Sequence, residues 1–128
     1  MNRMTDTDDD VLLRARNLSL SFGGVLAVND VSFDVRRGEI FTLIGPNGAG
    51  KTTVFNIISG IYPPSKGSLH YYGTGNEIAL TRLAPHDIAA TGIARTFQNI
   101  ELFEHASVLQ NLLIGRHRHQ KSGFWQQV

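Results

Sequence analysis

Near the start of the chain, apolar side chains recur at every second position in two stretches. Within Val11–Phe22 the alternation is carried by Leu18, Leu20 and Phe22, and within residues 26–35 by Val31, Phe33 and Val35. A period of two turns one side of a strand toward a core and the other toward water. Gly23-Gly24 between them supplies the positive φ of a tight hairpin, so the pattern predicts paired antiparallel strands. Arg36-Arg37-Gly38 reads as a further turn. Beyond it, EIFTLIG (residues 39–45) is apolar almost throughout, as expected of a strand buried on both faces.

The period then changes. Val54, Ile57, Ile58 and Ile61 fall at helical spacing, and Gly60 is placed to cap that helix. Pro63-Pro64 and Lys66-Gly67 mark a loop, and residues 68–73 read as a short strand. Residues 85–91 predict a short helix with proline in its first turn and Gly92 behind it. IARTFQ (residues 93–98) is a second candidate core strand. Ser107 and Gln110 form a capping box before a helix whose apolar stripe is Val108, Leu109, Leu112 and Leu113.

Composition narrows the class. At 128 residues with 41% hydrophobic content, the chain is one domain's worth and able to bury a core. The formal charge of +1 gives no electrostatic footprint for nucleic acid. The first ten residues, MNRMTDTDDD, hold four aspartates and predict a disordered acidic tail, leaving residues 11–128 as the globular part. The basic stretch GRHRHQK (residues 115–121) suits a helix C-terminus. Without cysteine there is neither a disulfide framework nor a thiolate metal site. No signal peptide and no membrane-spanning apolar run is visible, so a soluble, cytoplasmic protein is expected, related to a membrane only through a partner.

The most informative stretch is GPNGAGKTTVF (residues 45–55). Gly45, four residues, then Gly50-Lys51-Thr52 is the phosphate-loop spacing, lying here between an apolar run and a helical one. A triphosphate is well solvated, so a competing protein must present many donors at short range. Glycines allow the backbone N–H groups of Asn47, Gly48, Ala49 and Gly50 to converge in one concave nest. The helix that follows turns its unpaired amides and positive dipole end to the same point. Lys51 adds an ammonium for the β- and γ-phosphates, Thr52 a hydroxyl for Mg²⁺, and Thr53 a contact on the α-phosphate side. The alternative is a glycine-rich turn that holds nothing; accidental matches are expected in well under roughly 1% of chains this long.

Neither a D-x-x-G switch nor an N/T-K-x-D guanine reader occurs, which argues against a small GTPase, and the long β-unit in front of the loop does not suit a nucleoside kinase. Taken together, GPNGAGKTT, the upstream LSLSFGGVLAVNDVSFDVRRGEI and the downstream GIARTFQNIELFEHASVLQNLLIG resemble the ATP-binding subunits of ABC transporters. More narrowly, they are similar to those of bacterial branched-chain amino acid importers. The resemblance runs from residue 11 to about residue 115. It implies an α/β P-loop NTPase core with an N-terminal antiparallel β-subdomain, and ATP with Mg²⁺ as ligands. It also implies that Phe22 stacks on adenine, where tyrosine is more usual; a core or hairpin phenylalanine is the plain alternative. Gln98 would be the Q-loop glutamine, touching the Mg²⁺ shell and sensing the γ-phosphate, so that Lys51 and Gln98 act on the reaction itself; a polar residue ending a strand is the alternative. Residues 99–105 would face a membrane-spanning subunit through Ile100, Leu102 and Phe103, although core packing accounts for these equally well.

The same family carries a signature segment of LSGGQ type, an apolar strand ending in Asp-Glu and a later switch histidine, and these 128 residues contain none of them. The expectation is therefore the first half of such a domain. It would bind Mg-ATP with negligible turnover, leaving its status as an enzyme open. The implied partners are transmembrane permease subunits and a second ATP-binding subunit, at the cytoplasmic face of the membrane. A non-hydrolysing nucleotide-binding or regulatory module is the other reading. His117 and His119, two imidazoles without a third ligand, read as solvated. Glu39 and Asp87 have no neighbour that suggests acid–base work.

Overall fold

The computed structural model describes residues 10–96 and 102–115. They divide into two compact units between Ala94 and Arg95. In the first unit, β1 (Val11–Phe22) and β2 (Val25–Arg36) form the expected hairpin, with Cα partners running from Val11↔Arg36 to Phe22↔Val25. Gly23 and Gly24 make the turn at positive φ. On its other edge β1 pairs antiparallel with β3 (Lys66–Tyr71), which pairs with the short β4 (Ile78–Ala79), giving the order β2-β1-β3-β4. β3 thus begins at the Lys66-Gly67 pair that sequence pattern assigned to a loop.

The core-facing positions of β1 change phase part-way along. Val11, Leu13 and Ala15 are buried, and then Leu18 and Leu20. The extra step is taken at Asn17, whose φ of 50° marks a bulge opposite Asp30 at φ 51°. Asn17 Nδ2 donates to Asp30 Oδ1 at 2.7 Å, and Ser19 Oγ accepts from the Asp30 amide at 2.9 Å, so side chains take over where the ladder breaks. Without the bulge, a strict period of two would turn Leu18 and Leu20 to water. On the opposite face, Arg16 grips Asp34 with both terminal nitrogens at 2.6 and 2.8 Å. That hydrogen bond, reinforced by the charges of Arg16 and Arg14, holds the Asp34 carboxyl below its ordinary value.

The buried face of the sheet packs on α1 (Lys51–Ile58), on a 3₁₀ turn at Leu80–Arg82 and on α2 (Pro85–Ala90). The shared core is Leu13, Ala15, Leu18, Leu20, Val28, Val54, Ile57, Leu69, Leu80 and Ile88. Gly60, at φ 71°, donates its amide to Ile57 O and ends α1 as expected. Proline stands in the first turn of α2, also as expected.

Two expected strands are not formed. Residues 39–46 adopt no regular structure, and Ile40 and Ile44 are 97% and 92% exposed. Only Phe41, stacked on Phe33 at 5.2 Å, and Leu43 reach toward the core. A strand that is apolar on both faces needs a hydrogen-bonding neighbour on each edge and a layer on each side. Among the described residues no strand pairs with this one. Residues 93–96 likewise belong to no strand.

The second unit contains α3 (Val108–Gly115). Its capping box forms as the sequence implied: the Ser107 amide donates to Gln110 Oε1 at 2.7 Å, and the Gln110 amide to Ser107 Oγ at 3.2 Å. The apolar stripe is a different matter, since Val108, Leu109, Leu112 and Leu113 all remain exposed. The acidic tail up to residue 9, Phe97 and Gln98 of the 93–98 segment, Ile100 and the basic stretch beyond residue 115 lie outside the described residues, as do His117 and His119.

Candidate functional site

The phosphate-loop segment leaves the 39–45 run at Gly45 and enters α1 at Lys51. Two glycines set its path. Gly48 and Gly50 take φ of 84° and 83°, a region that costs an L-residue roughly 1–2 kcal/mol. For Gly50 the requirement is doubled: a Cβ there would run into the Ala27 carbonyl oxygen of β2 and lie 3.4 Å from Val28 Cγ2. The loop is thus pressed against the hairpin. At Gly48 a Cβ would meet nothing within 4 Å, so only the backbone conformation asks for glycine there.

Within this path, the Ala49 amide donates to Pro46 O at 3.2 Å, closing a turn, and Val54 donates to Gly50 O at 3.0 Å as the first helical bond. Among the described residues nothing accepts from the amides of Asn47, Gly48, Gly50, Lys51, Thr52 or Thr53. No side chain caps α1. These amides surround a cavity of about 380 Å³ walled by residues 47–53 and by Val25, Leu26 and Ala27. A cluster of unpaired donors at the positive end of a helix is an anion-binding arrangement.

Lys51 Nζ bends back over the loop and donates to Gly45 O at 2.6 Å and Pro46 O at 2.7 Å. Among the described residues no carboxylate pairs with it, so its charge is available to an anion at the mouth. Thr52 is exposed and Thr53 half-buried beside it. No group of three or more His, Cys, Asp or Glu is placed to hold a metal among the described residues. A divalent ion would fit here with a polyphosphate, sharing the Thr52 hydroxyl with phosphate oxygens and water.

The structure brings residues 47–53 together around the cavity, ties Gly45 to them through Lys51, and leaves one expected contributor off the wall. Phe22 does not wall the cavity; it stands at the end of β1, paired with Val25, which does. Its ring is 45% exposed and meets Tyr62 edge-on, with centroids 5.0 Å apart. Gln98 lies outside the described residues. Val25, Leu26 and Ala27 escaped the sequence reading, because no local signal marks a residue that reaches the loop through a hairpin or a close backbone approach. Glu39 Oε1 accepts from the Arg36 amide at 2.6 Å and ties the turn. Asp87 faces only the exposed His86 at 3.4 Å. A second cavity, about 510 Å³ and largely apolar, belongs to the other unit, between Leu102, Phe103 and α3, and offers no comparable set of donors.

The glycine nest, the uncapped helix behind it and the lysine ammonium folded over the loop place the chain in the P-loop class, here with an antiparallel sheet beside the loop. The family model described as ABC transporter matches residues 28–128, and the chain belongs to that family. It is 46% identical over 114 residues to the high-affinity branched-chain amino acid transport ATP-binding protein LivG of Salmonella typhimurium, a match covering 89% of this chain and 43% of that protein. It is 44% identical over 113 residues to BraF of Pseudomonas aeruginosa, described in the same words, covering 88% and 43% respectively. Among solved structures, the ADP conformation of MJ1267, an ATP-binding cassette of an ABC transporter, superposes with a TM-score of 0.73 at 34% identity, covering 88% of this chain and 43% of that one. The fold class is accordingly α/β, an ABC ATPase domain with its N-terminal antiparallel sheet. The chain spans about 43% of the length of these relatives.

Proposed function

We propose that this chain is the nucleotide-gripping part of an ATP-binding subunit that energises an ABC importer of branched-chain amino acids. The observation that carries the reading is the set of unpaired amides at Asn47, Gly48, Gly50, Lys51, Thr52 and Thr53, all on residues that wall one cavity, with the Lys51 ammonium held beside them on the Gly45 and Pro46 carbonyls. The substrate class is supported by the names of the relatives, LivG and BraF.

In this reading the amides of the loop and of the first turn of α1 hold the phosphate oxygens. Lys51 leaves the Gly45 and Pro46 carbonyls and swings onto the β- and γ-phosphates, a rotation of its flexible stem that needs no backbone movement. Thr52 contributes its hydroxyl to the Mg²⁺ shell, and the ion, when bound, neutralises phosphate charge. Phe22 offers a ring for the adenine at the hairpin end of the cavity. Gln98 approaches the γ-phosphate side. Ala49 shapes the loop; its amide is engaged with Pro46 and contributes less.

Permease subunits spanning the membrane and a second ATP-binding subunit are the partners, with the protein lying on the cytoplasmic face. No helix among the described residues is long and apolar enough to cross a membrane. This 128-residue chain alone binds Mg-ATP with negligible turnover, because no acidic pair in its sequence polarises the attacking water. Calorimetric titration of the chain with Mg-ATP tests the reading, with Lys51→Ala alongside. Removing one charge-assisted contact should weaken binding by roughly 1.5–3 kcal/mol, about ten- to a hundredfold. Equal affinity of variant and parent would place any ATP elsewhere.

A further inference from the structure

The segment after α1 does more than connect. Past Gly60 the chain hooks back, with the Ile61 amide donating to Asn56 O at 2.9 Å and the Tyr62 amide to the same oxygen at 3.4 Å. Three residues on, it is fastened to β1: the Ser65 amide donates to Ser19 O at 2.8 Å, and Ser65 Oγ accepts from the Ser21 amide at 3.3 Å. Pro63 and Pro64, with fixed φ, stiffen the span between these anchors. Tyr62 is therefore held from both sides, by the helix that carries Lys51, Thr52 and Thr53 and by the strand that carries Phe22.

The ring of Tyr62 meets that of Phe22 edge-on, centroids 5.0 Å apart and planes at 75°. Phe22 needs such a contact. It precedes a diglycine turn, and its neighbours across the turn, Val25 and Leu26, are themselves exposed. Among the described residues the ring that meets Phe22 is that of Tyr62. A ligand held at one end by its phosphates and at the other by its base gains from the second contact only when the two grips keep a set separation.

We propose that Tyr62 is a positioning residue for the nucleobase, bracing the Phe22 ring at a fixed distance from the phosphate loop. This rests on the functional reading above and extends it to a residue with no polar role in the site. Tyr62 acts through its ring, not through its hydroxyl, and it does not touch the phosphates.

The test compares Mg-ATP with Mg-tripolyphosphate, which has the phosphates and no base, on the full chain. Tyr62→Leu should weaken ATP about three- to tenfold, the scale of one aromatic pair, and leave tripolyphosphate unchanged. Tyr62→Phe should retain parent affinity for both. In a Phe22→Leu background, Tyr62→Leu should cost nothing further. Unchanged ATP affinity in Tyr62→Leu, or equal losses for ATP and tripolyphosphate, would overturn the proposal; the second result would mark Tyr62 as merely structural. Failure elsewhere looks different. A parent that binds neither ligand removes the nucleotide reading and Tyr62's role together, whereas a Phe22→Leu variant with parent affinity removes the ring platform and its brace but leaves the phosphate grip standing.

Discussion

Replacing Gly50 by alanine adds one methyl group and probes how the phosphate loop is held. Two separate costs arise. The first is conformational: at φ 83° an L-residue is disfavoured by roughly 1–2 kcal/mol. The second is steric, because the new Cβ would collide with the Ala27 carbonyl oxygen. That oxygen is backbone of β2 and not the end of a flexible side chain, and it lies at a bulge between the Leu20↔Val28 and Ser21↔Leu26 pairs, so relief requires the main chain itself to shift. Gly48→Ala separates the two. It sits at nearly the same φ, 84°, with nothing within 4 Å of its Cβ, and carries the conformational cost alone. Gly48→Ala should therefore lower unfolding free energy in urea by roughly 1–2 kcal/mol. Gly50→Ala should either exceed that loss or escape it by lifting the loop off β2. A lifted loop no longer converges its amides, and Mg-ATP affinity should then fall by at least about tenfold, roughly 1.4 kcal/mol. Urea denaturation and calorimetry on both variants read the two arms. If Gly50→Ala matches Gly48→Ala in stability and in ATP affinity, the contact between loop and hairpin has no energetic weight.

Thr52→Val keeps the shape of the side chain and deletes its hydroxyl, so the gain in ATP affinity on adding Mg²⁺ over EDTA should shrink. An undiminished gain would remove Thr52 from the metal shell. Asp34, held below its ordinary value of 3.8 mainly by the Arg16 hydrogen bond, has a folded-state value lower than its unfolded one. Its contribution to stability is thus complete above the unfolded value and is lost as pH falls through the folded one. The stability difference between the parent and Asp34→Asn, followed by urea denaturation, should narrow on acidification below 3.8; a constant difference would deny the pairing. Leu69 is fully buried between β1 and the helices, and Leu69→Ala should cost about 2–5 kcal/mol of stability. A loss under about 1 kcal/mol would mean that this core is loose enough to collapse around the gap.

What the sequence made legible was local. Hairpin, helix caps and phosphate loop each follow from residues near one another in the chain: a diglycine, a Ser107–Gln110 box, a lysine after two glycines. The same reading erred where structure depends on distant partners. Residues 39–45 have the apolar run of a strand buried on both faces, but that state needs strands on each edge, and none pairs with them among the described residues. The stripe on α3 is correct in period and still exposed for the same reason. The phase change at Asn17 was invisible because a bulge is set by the Asn17–Asp30 pair, thirteen residues apart in sequence. Phe22 was found by resemblance, and its partner Tyr62 was missed, since an edge-on ring contact leaves no mark on spacing.

The unformed strand bears on the site less than its position suggests. A phosphate loop normally springs from the end of a buried strand, so a frayed 39–45 segment ought to leave Gly45 adrift. The loop is instead held from its other end. Gly50 lies against Ala27, Val54 and Ile57 are buried in the core shared with β1, and Lys51 ties the Gly45 and Pro46 carbonyls back to α1 at 2.6 and 2.7 Å. The last of these bonds is the one a polyphosphate would compete for. In the proposed binding mode, drawing Lys51 onto phosphate would release the Gly45 end as the unpaired amides of the loop and of the first turn of α1 gained an anion. The grip is therefore borne by the hairpin and α1, both built from residues within this chain. Flanking strands, where present, would add their effect at Gly45, by relieving Lys51 of its second task.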